Sequence, residues 1–229
     1  MSIVYEIAIR ADVGRTDAVR RWFESGAAKM WCELPQLRTC DVYFPSAGHP
    51  QDPYVHDGPG PRALCMLTFA DETALRSALA TATFVRGLAD PPVGAAITAD
   101  AMARTFYSTD GDAGVQDLKA PFSYVVRYHR PAEDERAFVE NYIAGHPMLL
   151  MKLPHVRTVL CDFPIAWRDP NHLASANYML GNEVTFDSVD HFNEAMASEV
   201  RHELRRHYRE LPPFSGRNTH YPMHRTRLV

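Results

Sequence analysis

Apolar residues alternate with others along Tyr5, Ile7 and Ile9, and again along Tyr124, Val126 and Tyr128. This period-two pattern predicts strands with one face turned to a core. A three-to-four spacing follows each strand: Val19, Phe23, Ala27 and Met30 after the first, Phe138, Tyr142, His146 and Leu149 after the second. That spacing predicts amphipathic helices whose apolar face meets the sheet. Glu133, Asp134 and Glu135 favour the start of the later helix through the helix dipole. Leu34-Pro35 and Leu153-Pro154 end the two helices, because proline restricts the residue before it and donates no backbone hydrogen bond. Strands are then expected at 36–45 and 155–163, and further strands ending in Thr68-Phe69 and Thr185-Phe186. Asp71 and Ser188 read as N-caps of second helices, and final strands fall near 99–107 and 219–227.

The same order of elements occurs twice because the chain repeats itself. Leu34-Pro35-Gln36-Leu37-Arg38-Thr39 returns as Leu153-Pro154-His155-Val156-Arg157-Thr158, an offset of 119 that also pairs Tyr5 with Tyr124, Gly26 with Gly145 and Phe44-Pro45 with Phe163-Pro164. After a loop that differs by two residues, Thr68-Phe69 pairs with Thr185-Phe186 and Ala78 with Ala195. Near the ends, Met102 and Arg104-Thr105 pair with Met223 and Arg225-Thr226. The polar, glycine-rich stretch 108–114 reads as a linker. An α+β chain of two tandem ferredoxin-like βαββαβ modules, 1–110 and 120–229, is therefore expected. Each module would leave one sheet face uncovered, and the two sheets would cover one another.

Composition narrows the function. The 229 residues are 46% hydrophobic and 23% charged, with net charge −4. No basic stripe supports nucleic-acid binding, and no apolar run approaches the roughly 20 residues of a membrane span. The N-terminus lacks the basic-then-apolar pattern of a secretory signal, so a cytoplasmic protein is expected. Cys32, Cys40, Cys65 and Cys161 form no Cys-x-x-Cys pair and read as reduced, mostly buried thiols.

Tyr128-His129-Arg130-Pro131, then Phe138, Tyr142 and His146-Pro147-Met148, then Lys152-Leu153-Pro154-His155-Val156-Arg157, resembles the EthD-type pattern. That pattern runs from a strand ending in Arg-Pro, through a helix with Phe, Tyr and a His-x-Pro-Leu-like segment, to Leu-Pro-Gly-Leu-Arg. His155 stands where the glycine is usual, and Met148 or Leu149 where the leucine is. The resemblance covers most of 122–229 and reaches the first half only through the repeat. It implies an intramolecular dimeric α/β-barrel, in a superfamily of cofactor-independent cyclases, quinone-forming monooxygenases, lactone isomerases and dehydratases.

His146 is the leading candidate for proton transfer, since it lies on an apolar helix face and an imidazole titrates near neutrality. Gly145 before it costs helix stability by about 1 kcal/mol relative to alanine, which signals a close approach or a space that must stay open. Tyr142, one turn earlier, is a candidate hydrogen-bond donor to a substrate oxygen. Asn182 interrupts the apolar alternation of Tyr178, Leu180, Val184 and Phe186, and a buried amide needs partners. Tyr124 and Tyr128 are candidate pocket walls, Asp162 a group that could orient His146, and His202 one that could close a pocket end. The remaining histidines have no His-Glu-x-x-His spacing, so neither metal nor organic cofactor is expected. These residues point to a cofactor-independent lyase, isomerase, dehydratase or cyclase acting on a small hydrophobic aromatic, phenolic or carbonyl compound. A cofactor-free monooxygenase and a non-catalytic, stress-associated binder of hydrophobic ligands are the alternatives. The chain is expected to be a monomer or a homodimer of tandem-repeat chains.

Overall fold

A computed structural model describes residues 2–107 and 117–229; the expected linker at 108–114 lies outside them. Strand β1 (Ser2–Arg10) leads into a helical stretch of α1 (Thr16–Trp22), a wide π turn (Phe23–Ala27) and α2 (Ala28–Cys32). Then come β2 (Thr39–Pro45), β3 (Ala63–Phe69), α3 (Glu72–Leu79), α4 (Ala82–Gly87) and β4 (Ala96–Tyr107). The same order follows as β5 (Phe122–His129), α5 (Glu135–Leu150), β6 (Thr158–Pro164), β7 (Tyr178–Phe186), α6 (Val189–Met196), α7 (Glu199–Glu210) and β8 (Asn218–Arg227). The expected caps form: Asp71 Oδ1 accepts from Ala74 N at 2.9 Å, and Ser188 Oγ from His191 N at 3.2 Å.

The eight strands close into one antiparallel barrel in the order β1-β3-β2-β8-β5-β7-β6-β4. The sheets do not stack as two separate layers. Their edges join through β2·β8 and β4·β6, which pairs backbone groups that an open edge would leave free. Strand alternation then creates two buried faces. Outward residues meet the helices as two cores, one around Tyr5, Phe23, Trp31 and Phe84, the other around Tyr128, Phe138, Tyr142 and Phe192. Inward residues fill the barrel: Val4, Tyr43, Met66, Val125 and Tyr178 pack there beside buried charges. Arg127 Nη2 donates to Glu6 Oε2 at 2.5 Å, and Arg104 Nε to Asp162 Oδ1 at 2.8 Å.

Two helix registers differ from the expected ones. The π turn adds a residue to one turn of helix, so Trp31 rather than Met30 continues the buried face of Phe23 and Ala27. In α5 the buried face runs Phe138, Tyr142, His146, Leu150, with Leu149 only partly covered. After each helix the chain turns through a positive φ of 60°, at Gln36 and at its counterpart His155. A side chain there costs about 1–2 kcal/mol. Exposed Gln36 is therefore expected to accept glycine with a gain of about 1 kcal/mol, read as a higher urea midpoint.

Candidate active site

A cavity of about 280 Å³ lies in the second half, between β5, β7 and the helical layer. His146 from α5, Asn182 from β7, and Tyr124 and Tyr128 from β5 line it. Val126, Leu150, Val184, Met196 and Leu204 supply apolar wall.

His146 is only 7% exposed. Its Nδ1 lies 3.2 Å from His207 Nδ1 on α7, so one nitrogen of the pair carries a proton and the other accepts it. Gly145 makes this pairing possible. A Cβ there would sit 2.5 Å from His207 Nε2, so any side chain would displace the His207 ring from this position. Burial, then the fields of His207 and Arg201, push the His146 pKa down from 6.5 to about 3. The imidazole is therefore neutral at physiological pH.

The sign of the stability effect follows. Between pH 6.5 and about 3 the unfolded chain binds a proton at this histidine that the folded chain does not. The contribution is fully present above pH 6.5 and is lost as pH falls through that window, by up to about 1.4 kcal/mol per unit. A His146→Gln variant should show a shallower loss of urea stability than the unaltered protein between pH 6.5 and 4.5. Parallel slopes would show that His146 titrates normally.

Tyr142 does not line the cavity. It is fully buried behind Asn182, whose Nδ2 donates to the Tyr142 hydroxyl at 2.6 Å. Asn182 Oδ1 is buried without a partner among the described residues. Tyr142 thus holds the amide while its other end remains for a ligand. Burial pushes the phenols of Tyr142, Tyr124 and Tyr128 up, so all stay protonated.

Two expected residues stand elsewhere. Asp162 points into the barrel, where Arg104 and Arg127 bind it, and it does not meet His146. Its neighbour Cys161 takes the face toward the helices. His202 lies outside the lining and contacts the hydroxyl of Tyr54, which does line the cavity.

The first half completes the site, which the sequence reading missed. The β2–β3 connection crosses over and contributes Tyr54, Val55 and Asp57 to the lining. Asp52 anchors it: Arg201 Nε and Nη2 donate to both carboxylate oxygens at 2.9–3.2 Å, and the Tyr124 hydroxyl donates at 2.9 Å. Asp57 holds His220 at 2.9 Å. The exchange is reciprocal. The β6–β7 connection packs Ile165, Trp167 and Leu173 on the first core, and Tyr5, counterpart of Tyr124, donates to Asp169. There the space is filled: Trp31 stacks on Phe84 at 5.9 Å and 25°. The repeat offsets pair these two with Leu150 and Arg201, smaller or polar residues that leave the second-half cavity open. The signal for this in the sequence was the Tyr5–Tyr124 pairing together with an acid in each following loop.

Among the described residues no three His, Cys, Asp or Glu side chains converge as a metal site, and no helix is long and apolar enough to cross a membrane. Cys40, Cys65 and Cys161 are buried free thiols and Cys32 is partly covered.

A closed antiparallel barrel of eight strands with helices outside is a dimeric α/β-barrel fold. Solved structures with this fold match over nearly the whole chain. An anthrone oxidase-like protein is 12% identical, covering 99% of this chain and 92% of its own, with a TM-score of 0.64. A monooxygenase candidate from Lactobacillus acidophilus NCFM is 9% identical, covering 99% and 95%, with a TM-score of 0.57. A chlorite dismutase candidate is 10% identical, covering 100% and 94%, with a TM-score of 0.53. At these identities the likeness carries the fold and not the activity. No family model matches the chain, and no curated protein does.

Proposed function

We propose that the chain is a tandem duplication whose second, EthD-like half carries the active site of a cofactor-independent enzyme acting on a small hydrophobic phenolic or carbonyl compound. The observation behind this is the convergence of a buried neutral imidazole and an amide oxygen without a partner among the described residues on one cavity. His146 accepts a proton from the substrate, and Asn182, held by Tyr142, binds the oxygen on which charge develops. The amide can present its NH2 to an oxyanion by exchanging ends, with the Tyr142 hydroxyl then donating to Oδ1. The low basicity of His146 is part of the scheme. Burial is the main reason for that low basicity, and a negative charge forming on the substrate beside the ring stabilises the imidazolium that burial disfavours, so the charged ring is favoured only as the proton moves. Lyase, isomerase, dehydratase and cyclase reactions share this step.

A second reading, cofactor-free oxygenation, draws on the anthrone oxidase-like and monooxygenase-candidate neighbours. It begins with the same deprotonation and then consumes dioxygen.

The test uses protein dialysed against chelator, with phenols and enolisable ketones offered in D2O. Deuterium entering the substrate without oxygen uptake is the expected result, and oxygen uptake would select the second reading. Neither event, with a hydrophobic compound retained through purification, would make the protein a binding module. A stoichiometric transition metal or a Soret band would overturn cofactor independence.

A further inference from the structure

Resting on the reading of this cavity as a ligand site, we infer that its ligand is an aromatic carboxylic acid whose carboxylate is received by Arg205. The cavity's other charged groups have hydrogen-bonding partners within the protein. Arg201 spends Nε and Nη2 on Asp52, and Asp57 is paired with His220. Arg205 lines the same cavity, has no acidic partner among the described residues, and its Nε is buried without a hydrogen bond. A buried guanidinium N–H left unpaired is costly and rare.

Its surroundings hold it in place. The guanidinium carbon lies 5.5 Å from the ring centre of Tyr54 and 5.1 Å from that of Tyr208. These contacts orient the planar fork without consuming its donors. Nearby, Tyr124, Tyr128 and Leu204 offer aromatic and apolar surface. The lining thus matches a body of one or two rings bearing a single negative charge. A carboxylate fits better than a phenol, because it is ionised at neutral pH and accepts two parallel bonds from one guanidinium.

Calorimetry with matched pairs tests this: 2-naphthoate against 2-naphthamide, and benzoate against benzamide, at low ionic strength. In each pair that binds, the acid should be held at least about tenfold tighter than the neutral amide, the range for a charge-assisted hydrogen bond. Arg205→Gln should remove the preference while leaving amide affinity within about twofold, and Arg205→Lys should retain part of it. Thermal melts of both variants confirm folding. Equal affinity for acid and amide, or a preference that survives in Arg205→Gln, overturns the inference and leaves the cavity reading intact. Failure of all four compounds to bind overturns both. A preserved acid preference in a protein that exchanges no substrate proton removes the catalytic reading alone.

Discussion

Once a substrate is in hand, His146→Ala should lower turnover by about 10²–10⁴-fold, the usual contribution of a positioned acid–base group. Stability should change by only about 1–2 kcal/mol, the cost of one lost hydrogen bond to His207. The fold tolerates the small residue, since alanine occupies the matching position, Ala27, in the first half. His146→Gln separates the roles of the ring: it can still hydrogen-bond His207 but cannot take a proton, so it should be as inactive as alanine. Tyr142→Phe should act more mildly, because Tyr142 lies behind Asn182 and reaches the cavity only through it. Undiminished turnover in His146→Ala would end the assignment.

The largest effect on stability is expected at Asp52. Its carboxylate is 4% exposed and binds an arginine that is 12% exposed. Removing one partner of such a pair leaves the other charge buried and uncompensated, at a cost of about 3–5 kcal/mol. Asp52→Ala also takes away the acceptor of the Tyr124 hydroxyl, so the β2–β3 connection loses its anchor over the cavity. Urea unfolding should show the loss of stability, and limited proteolysis should cut within 46–62. The reciprocal change Asp169→Ala provides the comparison. Asp169 accepts from Tyr5 and from two backbone amides and has no arginine partner among the described residues, so its loss should be the smaller one. If Asp52→Ala unfolds at the same urea concentration as the unaltered protein, the crossing loop is not fastened as the geometry says.

The two halves of this prediction differ in how visible they were beforehand. Tyr5 and Tyr124 are legible as counterparts because the repeat keeps them at one offset. Asp52 and Arg201 are not, since a salt bridge spanning 149 positions leaves no periodic trace. Asp162 illustrates a different limit. Alternation along β6 correctly separates Leu160 and Asp162 from Val159 and Cys161, yet says nothing of which face meets the helices. In a closed barrel both faces are buried, so a polar residue between apolar neighbours can belong to an interior ion network. Asn182, with the same kind of pattern on β7, faces the cavity. Helix phase was similarly open: a single π turn moved the buried position from Met30 to Trp31.

By itself the sequence determined the succession of strands and helices, their caps at Asp71 and Ser188, and the His146 face of α5. Each depends on residues within a few positions of one another, where backbone geometry sets the spacing. Gly145 belongs with them in part: its cost to the helix announced a close approach, but only the packing of α7 identified His207 as the group that comes close. Tertiary structure alone decided that the two sheets join edge to edge, that a loop of the first half covers the cavity of the second, and that Arg205 faces it with no acidic partner among the described residues. Those outcomes depend on which distant surfaces exclude water together, and hydrophobic burial, being non-directional, names no partner in advance.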